Sequence, residues 1–260
     1  MGMTEGGLAH LLDAGKTCSE LEVFTHHRIS THILAHGFPC VVARSVLNRR
    51  TYRMGIYDTL GSKDAALGLC HDLYEFSNEF KDTSQTRASS AQDKISFTSF
   101  IATFQHPHIE SELAFEELLW RQLQTMHCID ARHFDWDGTV SKNPGSPDFS
   151  FSLGGRAFFV VGLHPRSSRL ARRTEMPCLV FNPHKQFETL RITGKYDGIC
   201  NAIRQRDIAL QGSTNPMLSH FGEQAESRQY AGRAVPSNWQ CPFNAQSGQN
   251  DARHPETQPS

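Results

Sequence analysis

Between Phe149 and Arg191 the chain alternates runs that must be buried with residues that must turn it. This block constrains the fold more than any other. Ala157–Leu163 (AFFVVGL) is apolar at every position, as in a strand covered on both faces. Before it, Phe149 to Leu153 alternates apolar and polar up to Gly154-Gly155, which reads as a strand closed by a turn. After it comes a shorter apolar run, Leu179–Phe181, and then Asn182-Pro183. Asn satisfies free backbone N–H groups and Pro fits the first helical position, so a helix is predicted from here to about Arg191, ending before Gly194. A second helix is predicted over Tyr196 to Gln211, with Ile199, Ala202 and Ile203 on one side. Upstream, Phe115, Leu118, Leu119, Leu123 and Met126 recur at spacings of three and four and predict a helix over Glu110 to His127. Phe38–Ala43 (FPCVVA) is predicted to be a strand or an extended segment, because Pro39 keeps Phe38 out of the helical region. Strands and helices interleave. The expected class is therefore α/β or α+β: a single mixed domain with a central sheet and flanking helices, its topology not derivable from pattern.

Composition narrows the partners. A formal net charge of -1 gives no reason to expect nucleic acid or an anionic membrane surface, and no apolar run reaches spanning length. Seven cysteines, an odd number without a C-x-x-C pair, argue against a zinc ribbon or a disulfide framework; a reducing, cytoplasmic setting is expected. Residues 1–30 read as an N-terminal extension without a secretory signal, 31–243 as the folded domain, and 244–260 as a polar, disordered tail. Asp82–Asp93 reads as a loop.

Two histidines, His164 and His184, stand where apolar strands give way to predicted helices. Strand ends are where α/β proteins assemble sites, and an imidazole near a helix N-terminus is held neutral, the form that ligates a metal. Capping or packing is the ordinary alternative for each. If a helix begins at Pro165, Arg166, Arg169 and Arg173 share one face beside Ser168 and form an anion site; a solvated basic face is the alternative. Cys40 and Cys241 each neighbour a proline, and a buried thiol or a thiolate ligand fits both. Glu110, Glu112, Glu116 and Glu117 suit a helix N-terminus, yet a carboxylate is also what a guanidinium needs. Phosphate-binding and dinucleotide loops, H-E-x-x-H, G-x-S-x-G and C-x-x-C-H are absent from the sequence.

Several blocks in order, among them FPCVVA (38–43), FEELLWRQLQTMH (115–127), SFSLGGRAFFVVGLHPRSSRLARR (150–173), LVFNPHKQFETLR (179–191) and NWQCPF (238–243), resemble the YqcI/YcgG family from about Phe38 to Phe243. The resemblance implies heme b (protoheme, iron) and a monooxygenase or peroxygenase that hydroxylates a guanidine nitrogen of L-arginine or a related compound, in natural-product biosynthesis. It implies O2 or peroxide, an external electron donor and a small guanidine substrate; a homodimer is an open expectation. Under it, His164 is the expected iron ligand, with His184 and then Cys40 as alternatives. Arg166, Ser168, Arg169, Arg172 and Arg173 would hold propionates or a substrate carboxylate. Glu112 or Glu116, or else Asp135 or Asp137, would pair with the guanidinium, and Phe158, Phe159 and Trp120 would be pocket walls. The competing readings are a heme carrier or gas sensor without turnover, and a non-heme enzyme using the same histidines as acid and base.

Overall fold

A computed structural model describes residues 19–80, 97–218 and 223–245. The loop read at Asp82–Asp93 and the tail beyond Ala245 lie outside these residues. The chain begins with α1 (Glu20–Leu34), whose start is fixed by a capping box: the Ser19 hydroxyl accepts from the Glu22 N–H and the Glu22 carboxylate accepts from the Ser19 N–H. Thr25, Ile29 and Ile33, four apart, turn inward. This helix runs through residue 30, the expected edge of the folded unit.

Phe38–Ala43 is not a strand. The Cys40 Sγ accepts the Ala43 N–H and caps α2 (Val41–Arg49), so of this segment Cys40 is extended while Pro39 lies in a bend. Of the four N–H groups freed at a helix start, this local cap satisfies that of Ala43 without a strand partner. Next come β1 (Tyr52–Thr59), α3 (Lys63–Glu79), β2 (Ser99–His106) and α4 (Glu112–Asp130), where α3 and α4 are capped by Ser62 and Ser111. The predicted strands are β3 (Phe151–Leu153), β4 (Arg156–Leu163) and β5 (Cys178–Pro183), and the predicted helices are α5 (His184–Ile192) and α6 (Tyr196–Gln211). The short α7 (Ser227–Tyr230) follows. Gly154 and Gly155 join β3 to β4 with φ of 60° and 70°, the double positive φ that a two-residue hairpin turn requires and glycine supplies without strain.

The five strands form one mixed sheet in the order β1-β2-β5-β4-β3, with β1 parallel to β2 and every other pair antiparallel. The molecule is thus a single mixed α/β domain. The period-2 alternation of strands sorts side chains to two faces. On one, Phe100, Phe104, Phe158 and Phe181 meet Phe115, Leu119 and Leu123 of α4 and Leu69 and Leu73 of α3 in the larger core. On the other, Met54, Ile101, Leu163 and Cys178 meet Ile29 and Ile33 of α1, and Leu47 of α2. Tyr57, beneath α3, donates from its hydroxyl to the buried Asp72 at 2.6 Å, so that carboxylate, which lies near the exposed His71 and Glu75 on α3, already serves the core.

No helix turns on Pro165. The His164 N–H donates to Arg172 O at 3.0 Å and the Ser167 N–H to His164 O, which closes residues 164–173 into a loop holding one 3-10 turn, Leu170–Arg172. The hydroxyl of Ser167 accepts the Arg169 N–H, a local bond that competes with helix.

Candidate functional site

Among the described residues the second face of the sheet is not closed. Between it and α1, α2, α5 and α6 lies a cavity of about 300 Å³, partly open to solvent, at the lower end of the size of small-molecule sites. Its floor is a ladder read from the register: Phe159, Asn182 and Ser99 in one row, Val161, Val180 and Ile101 in the next, and Leu163 beyond. Apolar helix residues such as Val42, Val46, Leu190, Ile199 and Ile203 form the walls.

The polar groups gather at two ends. At one, Cys40 lines the cavity beside Arg169 and Arg172. Burial raises the Cys40 thiol, opposed by the Ala43 and Val42 amides and by Arg172. The buried Arg172 gives its Nη1 to Tyr230 O at 3.1 Å and Gly162 O at 3.4 Å, and burial pushes its guanidinium down to about 10. This stem leaves no room for a Cβ at Gly232, which sits at φ 83° with Arg172 Cδ only 2.6 Å from the Cβ position. Arg169 pairs with the buried Asp207 at 2.6 Å and reaches Ser213 O at 2.7 Å.

At the other end stand Glu226, Arg191 and Tyr196. The Glu226 carboxylate lies 3.5 Å from His184 Nδ1 and 3.4 Å from the Tyr230 hydroxyl, and burial pushes it up to about 7. His184 is the first residue of α5, buried, with Arg191 Nη2 3.5 Å from its Nε2; burial and then Arg191 push it down to about 4, so it is neutral. Tyr230 ties its hydroxyl to Phe158 O at 3.2 Å, while its carbonyl holds Arg172 near Gly162. Phe158 and Gly162 are four residues apart on β4, so the two ends lie about 13 Å apart along the strand.

The sequence-predicted residues divide between the faces. Cys40, Arg169, Arg172 and Phe159 line the cavity, and His184 touches Glu226 and Arg191, which do. His164 does not. It ends β4 on the aromatic face, fully buried and stacked on Phe115 at 4.2 Å with an interplanar angle of 22°. Neither of its ring nitrogens has a hydrogen-bond partner among the described residues, and burial pushes it down to about 4. Arg166 and Arg173 are exposed, and the latter donates to Ser167 O. Without a helix at Pro165 they do not form one face with Arg169.

The two carboxylates expected to pair with a guanidinium are engaged elsewhere. Glu112 accepts from both the N–H and the hydroxyl of Ser168 at 2.8 Å, which pins the 164–173 loop to the start of α4. The buried Glu116 pairs with Arg233, Nε at 2.9 Å. Both belong to α4, on the opposite face from the cavity floor. Trp120 and Phe158 are likewise packed in the aromatic core, and Asp137 is engaged by the N–H groups of Thr139 and Ala157. Asp135 is exposed. The cavity acids are instead Asp207, paired with Arg169, and Glu226, in GEQAESRQY, a polar stretch with no apolar period and no turn signature that sequence reading could have used.

Fold and site define a mixed α/β protein with a bipolar, apolar-walled cavity on one sheet face. The profile of the YqcI/YcgG family matches residues 29–244, and the chain belongs to that family. No curated protein and no solved structure matches it. Among the described residues no helix is long and apolar enough to cross a membrane.

Proposed function

We propose that the protein is a heme-dependent oxygenase that hydroxylates a guanidine nitrogen of a small molecule such as L-arginine, and that the cavity is where this occurs. One observation carries the reading beyond the family: a thiol at a helix N-terminus opens onto an apolar cavity whose same end carries arginines. In residue type that donor set suits a heme, whose bulk would extend through the open side of the 300 Å³ cavity. A porphyrin needs apolar walls, cations for its propionates and one axial side chain, and of the three candidate ligands Cys40 alone lines the cavity. Burial disfavours the Cys40 thiolate, and the amides at the N-terminal end of α2 and the neighbouring Arg172 offset part of that penalty. Cys40 therefore replaces His164 as the first choice of ligand.

Bound there, the heme would supply oxidising power from O2 or peroxide with an external electron donor. The chain's own residues hold and orient. Val161, Val180 and Ile101 exclude water from the floor. Arg169 and Arg172, held by Asp207 and by two carbonyls, offer fixed positive charge to an anionic group. Glu226, across the cavity, offers negative charge to a cationic one.

The reading is tested by the absorption spectrum of the purified protein after heme is supplied. A Soret band is expected, lost or shifted in Cys40→Ser and unchanged in His164→Phe. Incubation with L-arginine and either a reductant under O2 or peroxide should give an N-hydroxylated product by mass spectrometry. No Soret band sinks the heme reading; a band without product from any guanidine leaves a carrier or sensor.

A further inference from the structure

We infer that Glu226 is the residue that selects the ligand's charge, taking a planar delocalised cation such as a guanidinium, and that this cation replaces a proton on the carboxylate. The inference deepens the reading of the cavity as a substrate site and is independent of heme.

Among the described residues two carboxylates line the cavity, Asp207 and Glu226. Asp207 is saturated: its Oδ2 accepts from Arg169 Nη2 at 2.6 Å and from the Asn215 N–H at 2.8 Å. Glu226 is held more loosely. Its contacts to the Tyr230 hydroxyl and His184 Nδ1 are 3.4 and 3.5 Å, at the outer limit of hydrogen bonding, and the Ser150 hydroxyl also faces it. That hydroxyl is also placed to donate to Phe158 O, at the shorter distance of 3.2 Å, and His184 is neutral. Elsewhere the described buried acids have short partners: Glu116 an arginine, Asp72 and Asp130 tyrosine hydroxyls at 2.6 and 2.7 Å.

A carboxylate so buried keeps a proton near neutral pH. A guanidinium offers two parallel N–H groups, matching both carboxylate oxygens, and in a water-poor cavity that pair outweighs the proton. The groups facing Glu226 set this balance. From α5 these are His184, with Glu188 3.8 Å behind it, and Arg191; from α7, Tyr230; from α6, Tyr196; and from the loop before β3, Asp137 acting on His184. Arg191 alone among them carries a fixed positive charge, and its guanidinium also lies 5.7 Å from the Tyr196 ring centroid. One proton is lost for one cation gained, so the cavity's charge is unchanged by binding.

Isothermal titration of the full chain, heme-loaded where it takes up heme, tests this with L-arginine and its neutral isostere L-citrulline. We expect arginine to bind at least tenfold tighter than citrulline. At pH 6, titrations in buffers of different ionisation enthalpy should show nearly one proton released per arginine bound, and almost none at pH 8.5. Glu226→Gln should weaken arginine tenfold or more and leave citrulline unchanged. Should that variant fail to fold, the arginine preference and proton release of the wild-type chain decide the matter. Equal affinity for the two probes, no binding of either, no proton release at pH 6, or a Glu226→Gln protein that binds arginine normally overturns the inference. A missing Soret band does not, since binding is read without it.

Discussion

The two faces of the sheet are built from the same five strands and end in opposite states. One is filled by interlocking aromatic rings, with Phe115, Phe149, Phe151, Phe158 and Phe181 each at most 1% exposed. The other has Val161, Val180 and Phe159 only partly covered on its floor, under helices that leave about 300 Å³ between them. Buried charge follows the same division. The aromatic face keeps its acids tied to tyrosines and arginines, and the open face keeps an arginine cluster at one end and a loosely held glutamate at the other. Stability resides in the first face and selectivity in the second.

If so, truncation should hurt unequally. Phe151→Ala, in the aromatic core, is expected to lower the unfolding free energy by about 3–5 kcal/mol, since the ring's partners cannot collapse into the void. Val161→Ala, on the cavity floor, should cost about 1 kcal/mol, because its side chain already borders empty space. Urea denaturation of both variants checks this. Similar losses at the two sites would mean that the second face is closed in solution.

Much of the first face was legible in the sequence and little of the second. The spacing of Phe115, Leu119 and Leu123 predicts α4, and AFFVVGL predicts β4, because a buried element records its period in its own residues. The prediction at Pro165 failed because the His164 N–H finds its partner eight residues on, at Arg172 O, and no local pattern announces that bond. FPCVVA was misread because Cys is an uncommon cap, although Val42, Val46 and Leu47 carry a helical spacing. The cavity draws Cys40, Arg169, Asn182 and Glu226 from four separate segments, joined only by strand pairing and helix docking.

His164 and Glu226, one on each face, should also answer oppositely to pH. His164, on the aromatic face, has its ordinary value of 6.5 pushed down to about 4. Below pH 6.5 the unfolded chain takes up a proton that the folded one refuses, so its contribution to stability is lost as pH falls from 6.5 to 4, by at most about 3 kcal/mol. Glu226, on the cavity, is pushed up from 4.5 to about 7, so the folded chain holds the extra proton and stability is lost as pH rises through that window. His164→Phe should roughly halve the slope on the acid side of the stability profile, leaving the comparable part due to His184, with a change at pH 7 within about 1 kcal/mol because no hydrogen bond is removed. A large loss at pH 7 would show that the imidazole nitrogens are in use.

The finest test uses neighbours on one strand. A Cβ at Gly162 would lie 2.6 Å from the Phe115 ring and 2.9 Å from Tyr230 O, so Gly162→Ala should cost about 1–3 kcal/mol by overpacking the aromatic face. Val161→Ile, one residue earlier and facing the other way, adds the same single methylene-sized group into open space. Its stability should change by no more than about 0.5 kcal/mol, as at a position without tight packing. The extra group narrows the floor between the thiol and Glu226, so arginine affinity should fall while the urea midpoint stays in place. A fall in stability matching that of Gly162→Ala would erase the distinction between the faces; unchanged affinity with unchanged stability would move the ligand away from Val161 and toward the α6 wall.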